Sequence, residues 1–269
     1  MRELHRPPDR STSWRRGSRS PSLREALRGL AALLWPGPCL GCGEDLPGRA
    51  AAGVCLPCWA ELPLHDGEGC RRCALPLHGD GPCPDCRAAG AARRRLEATV
   101  AALVYRDTAV RLHRALKFGG AAALARPLGR LMAAAWAARG PFRPDLLVPI
   151  PPGRFRWGPR REAVRRLARE AARRLGVPLG RHRLMRWRFA RAQTRQGAAA
   201  RRALPEGTFR APLRLDGMRV VIVDDVATTG ATLREAARAL RQAGAERVAA
   251  LVLARTPHPA ALPGAPVSG

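Results

Sequence analysis

Long apolar runs are missing from this chain. The longest one near the N-terminus is LAALLW at residues 30–35, far shorter than the roughly 20 residues that a membrane-spanning helix needs. The same region has no small-residue cleavage site of the kind that ends a secretory signal peptide. These absences argue against membrane insertion and export, and they predict a soluble, cytoplasmic protein.

Acidic residues and lysine are also scarce. The 269 residues contain 48 basic against 21 acidic side chains, for a net charge of +27, and Lys117 is the only lysine. Residues 139–202 alone hold 19 arginines and 3 acids. Such a field attracts polyanions, so this segment is a candidate surface for single-stranded DNA, with Trp157, Trp187 and Phe189 available for stacking. The alternatives are a merely solvated basic face, reflecting genome composition, and aromatic residues that belong to the core.

Two further absences limit the kinds of binding and catalytic site that the chain can contain. No Gly-Lys-Ser/Thr sequence occurs, which excludes a P-loop nucleotide site. No side chain stands out as a general base either, because the six histidines are scattered. His113 falls inside an amphipathic helical pattern and is therefore interpreted as a packing residue.

The remaining sequence divides into five predicted regions. They are a disordered basic tail (1–21), a short helix (22–38), a cysteine-rich module (39–86), an α/β domain (95–255) and a second disordered tail (256–269). In the fourth region, strands predicted at 99–105, 145–150, 219–223 and 247–254 alternate with helices predicted at 108–118, 122–138, 162–176 and 232–244, the second of them interrupted early by Pro127. This alternation predicts a parallel sheet flanked by helices.

All eight cysteines form Cys-x-x-Cys pairs: Cys39/Cys42, Cys55/Cys58, Cys70/Cys73 and Cys83/Cys86. Two such turns aim four thiolates at one point, which is the arrangement of a structural zinc site. The sequence therefore predicts two structural zinc ions in a double zinc ribbon. The pairing is either sequential or interleaved. The module carries 7 acids and 3 arginines, so a packing or docking role is favoured over nucleic-acid binding.

The segment VIVDDVATTGAT, residues 221–232, predicts a phosphate site. A buried strand ends in Asp224 and Asp225, and small residues then lead into a helix predicted to begin near Leu233. Ligands of open parallel sheets bind at the carboxyl ends of strands, and a helix N-terminus favours an anion. The two carboxylates suit a sugar diol or Mg²⁺.

This segment closely resembles the phosphoribosyl pyrophosphate (PRPP) signature of type I phosphoribosyltransferases. Together with the paired cysteines, the Y…LKFGG residues (Tyr105, Leu116, Lys117, Phe118, Gly119 and Gly120) and VPIPP, it resembles the ComF family over about residues 30–255. Two stretches depart from that family's pattern: residues 157–169, and Leu204, where Asn is usual. Both belong to the region expected around the sugar and its acceptor.

The resemblance implies the ligand-binding residues. Asp224 and Asp225 are expected at the ribose hydroxyls of Mg²⁺-bound PRPP, and the 5′-phosphate loop comprises Ala227, Thr228, Thr229, Gly230, Ala231 and Thr232. Pro151, Pro152, Gly153 and Arg154 are expected at the pyrophosphate, with Arg154 meeting the leaving group.

Two functions are compatible with the resemblance, which also implies a link to DNA uptake in natural transformation. The first is phosphoribosyl transfer to an unknown acceptor, catalysed by positioning and by stabilising the departing pyrophosphate. The second is a non-catalytic PRPP- or single-stranded-DNA-binding component, tethered through its ribbons to an uptake machine and its helicase.

Overall fold

The structure, a computed structural model, describes residues 37–46, 52–76, 81–88, 95–152, 162–187 and 204–257. The tail predicted at 1–21 lies outside these ranges, as do nearly all of the helix predicted at 22–38 and of the tail predicted at 256–269. The boundaries of the five predicted regions therefore stay predictions. No helix among the described residues is long and apolar enough to cross a membrane.

A four-stranded parallel sheet and the helices around it form the body of the described chain. Its helices are α1 (Leu56–Ala60), α2 (Pro84–Ala88), α3 (Asp107–Phe118), α4 (Ala125–Arg139), α5 (Ala163–Leu175) and α6 (Ala231–Gln242). Its strands are β1 (Thr99–Val104), β2 (Leu146–Pro149), β3 (Met185–Arg186), β4 (Phe209–Arg210), β5 (Arg219–Ala227) and β6 (Arg247–Arg255). The predicted parallel α/β architecture is confirmed.

The sheet has the strand order β1-β6-β5-β2. β5 and β6 lie at its centre and are buried along most of their length, which explains their nearly continuous apolar sequences. β2 ends at Pro149, which pairs with Val223, whereas β5 continues to Ala227. The segment that follows β2 therefore starts beside the last residues of β5, at the carboxyl edge of the sheet.

The two faces of the sheet are covered by different helices. Val221 and Val223 of β5 belong to the core packed by α3, α4 and α5. Val220 and Ile222 belong to the core packed by α6 and by Phe209 of β4. Since successive residues of a strand point to opposite faces, this alternation places Asp225 on the α3 face and Asp224 on the α6 face.

Three details of the sequence prediction are wrong. β5 continues past residue 223 because Asp224, Val226 and Ala227 still pair with β6. α6 begins at Ala231, before Leu233, because Gly230 takes the left-handed conformation, with φ of +70°, that turns the chain into the helix.

The third concerns Pro127, which does not interrupt a helix. A 3₁₀ turn at Ala122–Leu124 precedes α4, and Pro127 is the third residue of α4. An N–H in the first helical turn has no intrahelical acceptor, so proline costs no hydrogen bond there. The short antiparallel ribbon of β3 and β4 had no counterpart in the prediction.

Close packing of α4 on α5 depends on Gly129. A Cβ at this position would lie 2.7 Å from Cβ of Glu170 and 3.0 Å from the carbonyl oxygen of Leu167. Only a residue without a side chain allows the two helices to approach this closely. Glu170 of α5 then accepts a hydrogen bond from Arg130 of α4, which joins the two helices, and a second from Arg173 of its own helix.

We expect Gly129→Ala to lower the free energy of unfolding by about 1–2 kcal/mol, because the overlap with α5 outweighs the better helix propensity of alanine. Urea denaturation of the zinc-loaded protein measures the change. Gly81→Ala is the matched control, since a Cβ there meets nothing within 4 Å. Equal stability of the two variants would contradict this account of the α4–α5 contact.

Candidate functional site

The two segments predicted to bind PRPP meet at the carboxyl edge of the sheet. The Ile150 N–H donates to the Val223 carbonyl at 2.9 Å, so Pro151 and Pro152 follow β2 beside the end of β5. Asp224 and Asp225 occupy that end. The other two predicted pyrophosphate contacts, Gly153 and Arg154, lie outside the described residues.

Asp225 is buried, and its carboxylate accepts hydrogen bonds from two side chains of α3. Its Oδ2 accepts from Lys117 Nζ at 2.6 Å and from His113 Nε2 at 3.1 Å. Its Oδ1 accepts from the Val226 N–H at 2.8 Å. Burial raises the pKa of the Asp225 carboxyl, but the hydrogen bonds from His113 and Lys117 and the Lys117 charge outweigh it and hold the pKa well below its ordinary value.

His113 joins this carboxylate to Tyr105. Its Nδ1 lies 3.1 Å from the Tyr105 hydroxyl, and the two rings meet edge to face. An ionised carboxylate only accepts hydrogen bonds, so Nε2 of His113 carries a proton toward Asp225. In the neutral imidazole Nδ1 is then an acceptor, and the Tyr105 hydroxyl donates to it. His113 is buried as predicted, but it also orients Asp225.

Asp224 has a different environment. It points to the opposite face of the sheet, and its Oδ1 accepts from the Asp225 N–H at 2.9 Å. In the described part of the chain no ion pair involves its carboxylate. Burial and the neighbouring Asp225 charge raise the pKa of Asp224 to about 8. The fold therefore disfavours this charge at neutral pH, which is typical of a carboxylate kept for a ligand.

The loop after β5 presents backbone groups to solvent. Thr228 and Thr229 are exposed, and Gly230 and Ala231 are partly exposed at the start of α6. The first-turn N–H groups of a helix have no intrahelical acceptors, and the helix dipole adds positive potential there. Arg234 Nη1 donates to the Thr229 carbonyl at 2.7 Å and fixes the bend of the loop. The arrangement suits a phosphate group.

The cysteines form two separate four-sulfur clusters, one of Cys39, Cys42, Cys55 and Cys58 and one of Cys70, Cys73, Cys83 and Cys86. Within each cluster all sulfur atoms lie within 4.8 Å of one another. The sequential pairing is therefore correct and the interleaved one is wrong.

The sulfur geometry fits zinc. Sγ–Sγ distances are 3.5 Å for Cys39–Cys55, 3.9 Å for Cys42–Cys55 and 3.7 Å for Cys73–Cys83, close to the edge of a tetrahedron with Zn–S bonds of about 2.3 Å. These distances are too long for disulfide bonds. Burial opposes ionisation of Cys39, but backbone N–H groups, including those of Cys55 and Gly41, lower its pKa to about 6. Four thiolates leave no open position, so both sites are structural.

The first cluster packs on the helix that holds Asp225. Arg111 of α3 donates to the Gly41 carbonyl at 2.6 Å. Cys39 and Cys58 belong to the same buried core as Leu112 and Leu116 of α3. These contacts support the packing role predicted for the acidic ribbon module.

Comparison with known proteins identifies the family. Residues 158–268 match the phosphoribosyl transferase domain, and residues 30–87 match the double zinc ribbon domain. DNA utilization protein YhgH from Salmonella typhimurium strain LT2 is 32% identical over 227 residues, covering 82% of this chain and 98% of that protein. The protein of the same name from Escherichia coli K12 is 31% identical over the same length. The chain belongs to the ComF family.

Two solved structures resemble this ComF-family chain in part. Glutamine PRPP amidotransferase from B. subtilis is 24% identical, with 48% of this chain and 25% of that chain covered and a TM-score of 0.32. A purine phosphoribosyltransferase from Pyrococcus horikoshii is 21% identical, with 49% and 73% covered and a TM-score of 0.32. Each likeness spans about half of the ComF-family chain.

The ComF-type Y…LKFGG residues include two side chains of this network whose role was not predicted from the sequence. Tyr105 and Lys117 both belong to the network around Asp225. Lys117 is the single lysine of a chain that otherwise uses arginine for its cationic side chains. A compact ammonium suits this narrow, mostly buried position, whereas the planar guanidinium of arginine needs more room.

We expect Asp225→Asn to lower the free energy of unfolding by about 2 kcal/mol, because it leaves the Lys117 ammonium without its mostly buried counter-charge. Asp224→Asn is the control on the neighbouring residue. It should leave the free energy of unfolding at pH 7 unchanged or raise it, since the pKa of Asp224 is raised and its ionised form is disfavoured by the fold. Urea denaturation at pH 7 distinguishes the two. A larger loss for Asp224→Asn would contradict the assigned environments.

Proposed function

We propose that this chain binds Mg²⁺-bound PRPP at the carboxyl edge of β5 and transfers its phosphoribosyl group to an acceptor. The observation that carries the proposal is Asp224, a carboxylate held beside another negative charge at the mouth of an exposed loop and helix N-terminus. A protein keeps such an unfavourable charge when a ligand uses it. A magnesium ion or a ribose diol provides the missing partner.

In this proposal each part of the edge binds one part of PRPP. Thr228, Thr229, Gly230 and the first turn of α6 bind the 5′-phosphate through backbone N–H and hydroxyl groups. Asp224 faces the ribose hydroxyls. Asp225 contributes through its fixed position, and Lys117 and His113 keep it ionised. The segment that begins with Pro151 and Pro152 receives the pyrophosphate, with Gly153 and Arg154 as predicted further contacts.

The proposed reaction needs positioning more than proton transfer. The bond from ribose C1 to pyrophosphate breaks, and pyrophosphate leaves with the bonding electron pair. The acceptor supplies the electron pair of the new bond to C1. Magnesium would neutralise the charge of the leaving pyrophosphate when bound. The edge residues hold the sugar so that the acceptor reaches C1 in a productive orientation.

A role in the use of DNA is the second part of the proposal. Relatives that are about one-third identical over most of the chain are called DNA utilization proteins in Salmonella and Escherichia. The thiolate clusters suit a reducing compartment, which supports action in the cytoplasm beside an uptake machine and its helicase.

Calorimetric titration of the zinc-loaded protein with PRPP and Mg²⁺ tests the first part. We expect micromolar binding that Asp224→Asn weakens by at least about tenfold, equivalent to about 1.4 kcal/mol. The matched control is Asp216→Asn, because Asp216 is an exposed carboxylate paired with Arg214 just before β5, at the other end of the sheet. Absence of PRPP binding by the wild-type protein, or equal loss in both variants, would refute the site.

Direct binding of single-stranded DNA is a second candidate function, and Trp187 is the observation that favours it. Its side chain is 56% exposed next to β3, and the Arg210 guanidinium lies 4.3 Å from its ring centroid. Arg166, Arg169, Arg173 and Arg174 are exposed on α5 in the same basic half of the chain. A base can stack on such a ring while arginines contact the phosphates. Trp157 and Phe189 lie outside the described residues.

We expect Trp187→Ala to weaken binding of a fluorescent oligothymidine by about tenfold, the size of one lost base stack. Fluorescence anisotropy across a series of salt concentrations measures both affinity and the number of phosphates contacted. Asp224→Asn is the control and should leave this binding unchanged. Unchanged affinity in Trp187→Ala would contradict stacking on this ring and would assign the affinity to charge alone.

A further inference from the structure

A single buried arginine joins the second cysteine cluster to the predicted phosphate loop. Arg255 is the last residue of β6, and its side chain is 7% exposed. Nε donates to the Cys73 carbonyl at 2.8 Å. Nη1 donates to the carbonyls of Ala227, at 3.0 Å, and of Thr228. The same guanidinium therefore contacts a zinc-ligand turn and the first residues of the loop.

Other contacts place the same two regions together. The Thr256 N–H donates to the Ala227 carbonyl at 3.0 Å, so the residue that follows Arg255 is also bonded to the start of the loop. Cys73 and Cys86 line one small cavity with Ala227, Gly230 and Leu233. The second ribbon thus lies directly against the start of the loop and the first turn of α6.

The position of the Cys73 carbonyl depends on the metal site. The turn is closed by hydrogen bonds from Ala74 N–H to the Cys70 carbonyl at 2.7 Å and from Cys70 N–H to the Leu75 carbonyl at 3.0 Å. Among the described residues of this ribbon, its buried cluster consists of Leu75, Cys70, Cys83 and Cys86, with Cys73 packed against them. A module with so little apolar surface derives its folding free energy from metal binding.

We propose that Arg255 is a positioning residue that couples the Cys70–Cys86 metal site to the phosphate loop. With the site filled, the Cys73 carbonyl fixes one side of the guanidinium, which then holds Ala227 and Thr228 in the bend that starts the loop. When the turn loses its metal, the guanidinium loses one of its fixed acceptors and the loop gains conformational freedom. The first cluster has no part in this link, because it contacts α3.

Hydrogen exchange of the full chain, read by mass spectrometry, tests the coupling without any ligand. Two N–H groups report on the loop, because that of Thr256 donates to the Ala227 carbonyl and that of Arg234 donates to the Gly230 carbonyl. We expect Cys83→Ser, which removes one sulfur from the second cluster and lowers the zinc content from two to one, to speed exchange of these two N–H groups about tenfold. That is the size expected from losing one hydrogen bond to a charged donor. Exchange in residues 220–223 should not change. The control, Cys42→Ser in the first cluster, also removes one zinc and should leave the loop unchanged.

The double variant decides whether Arg255 carries the effect. Arg255→Met should speed loop exchange by itself, and adding Cys83→Ser should then have no further effect on the loop. The control for arginine removal is Arg241→Met in the last turn of α6, where the half-buried guanidinium donates to the carbonyls of Arg95 and Glu246 rather than to the loop, so this change should leave the loop unchanged. An unchanged loop in Cys83→Ser would overturn the proposal, as would effects that multiply in the double variant.

Arg255→Lys keeps the proposal testable if Arg255→Met does not fold. A lysine keeps the charge, but its single nitrogen cannot reproduce donation from both Nε and Nη1. The Cys83→Ser effect on the loop should therefore disappear in the Arg255→Lys background, and its persistence would overturn the coupling.

Titration with PRPP extends the test and rests on the proposed function. Cys83→Ser should weaken PRPP binding about tenfold, by the same factor as the change in loop exchange. Failure of the wild-type protein to bind PRPP would refute the proposed function but leave the exchange result intact. Normal PRPP affinity in Cys83→Ser, with the wild type binding as expected, would overturn the coupling.

Discussion

The ion pair between Asp225 and Lys117 determines the arrangement of the carboxyl edge. It joins α3 to β5 across a separation of 108 residues, and the His113 hydrogen bond strengthens the same join. Without these partners, a charged carboxylate could not lie on the apolar face of β5 that also carries Val221 and Val223. With them, the alternation of the strand sends Asp224 to the other face. Asp225 is thereby fixed by its partners, whereas Asp224 has no ion-pair partner among the described residues.

The double ribbon supports this edge from two directions. Its first cluster contacts α3 through Arg111 and so lies behind the helix that holds Asp225. Its second cluster contacts Arg255 and so lies behind the loop that follows Asp224. The ribbon module thus lies behind both halves of the candidate site. This explains why an acidic, cysteine-rich segment accompanies a basic α/β domain without itself resembling a nucleic-acid-binding ribbon.

Local patterns were sufficient to predict the fold and one side of the site. Alternating strands and helices predicted the parallel sheet, and the cysteine spacing predicted the two metal clusters. The pattern at residues 221–232 pointed to the carboxyl edge, where the structure also places Pro151 and Pro152. The length of β5 was wrong because aspartate disfavours strands locally, whereas pairing with β6 overrides that preference. Two-residue strands such as β3 have too few residues to show any period.

The side chains that support the edge could not be predicted in the same way. Tyr105, His113 and Arg255 come from separate elements, and only the folded sheet brings them to β5. His113 looked like an ordinary packing residue because helical periodicity reports burial and not polar partners. Arg255 was one arginine among many at the end of a strand. What distinguishes it is the set of carbonyls around it, which exists only in three dimensions.

The uniqueness of Lys117 has a consequence for chemical labelling. Within these 269 residues it supplies the only side-chain primary amine, on a side chain that is only 20% exposed and whose Nζ is bound by Asp225. An ammonium held by a carboxylate is a poor nucleophile, because acylation requires the free amine. Apart from the α-amino group, an amine-directed reagent therefore has one side chain to modify, and its rate of reaction reports how tightly α3 is closed on the sheet.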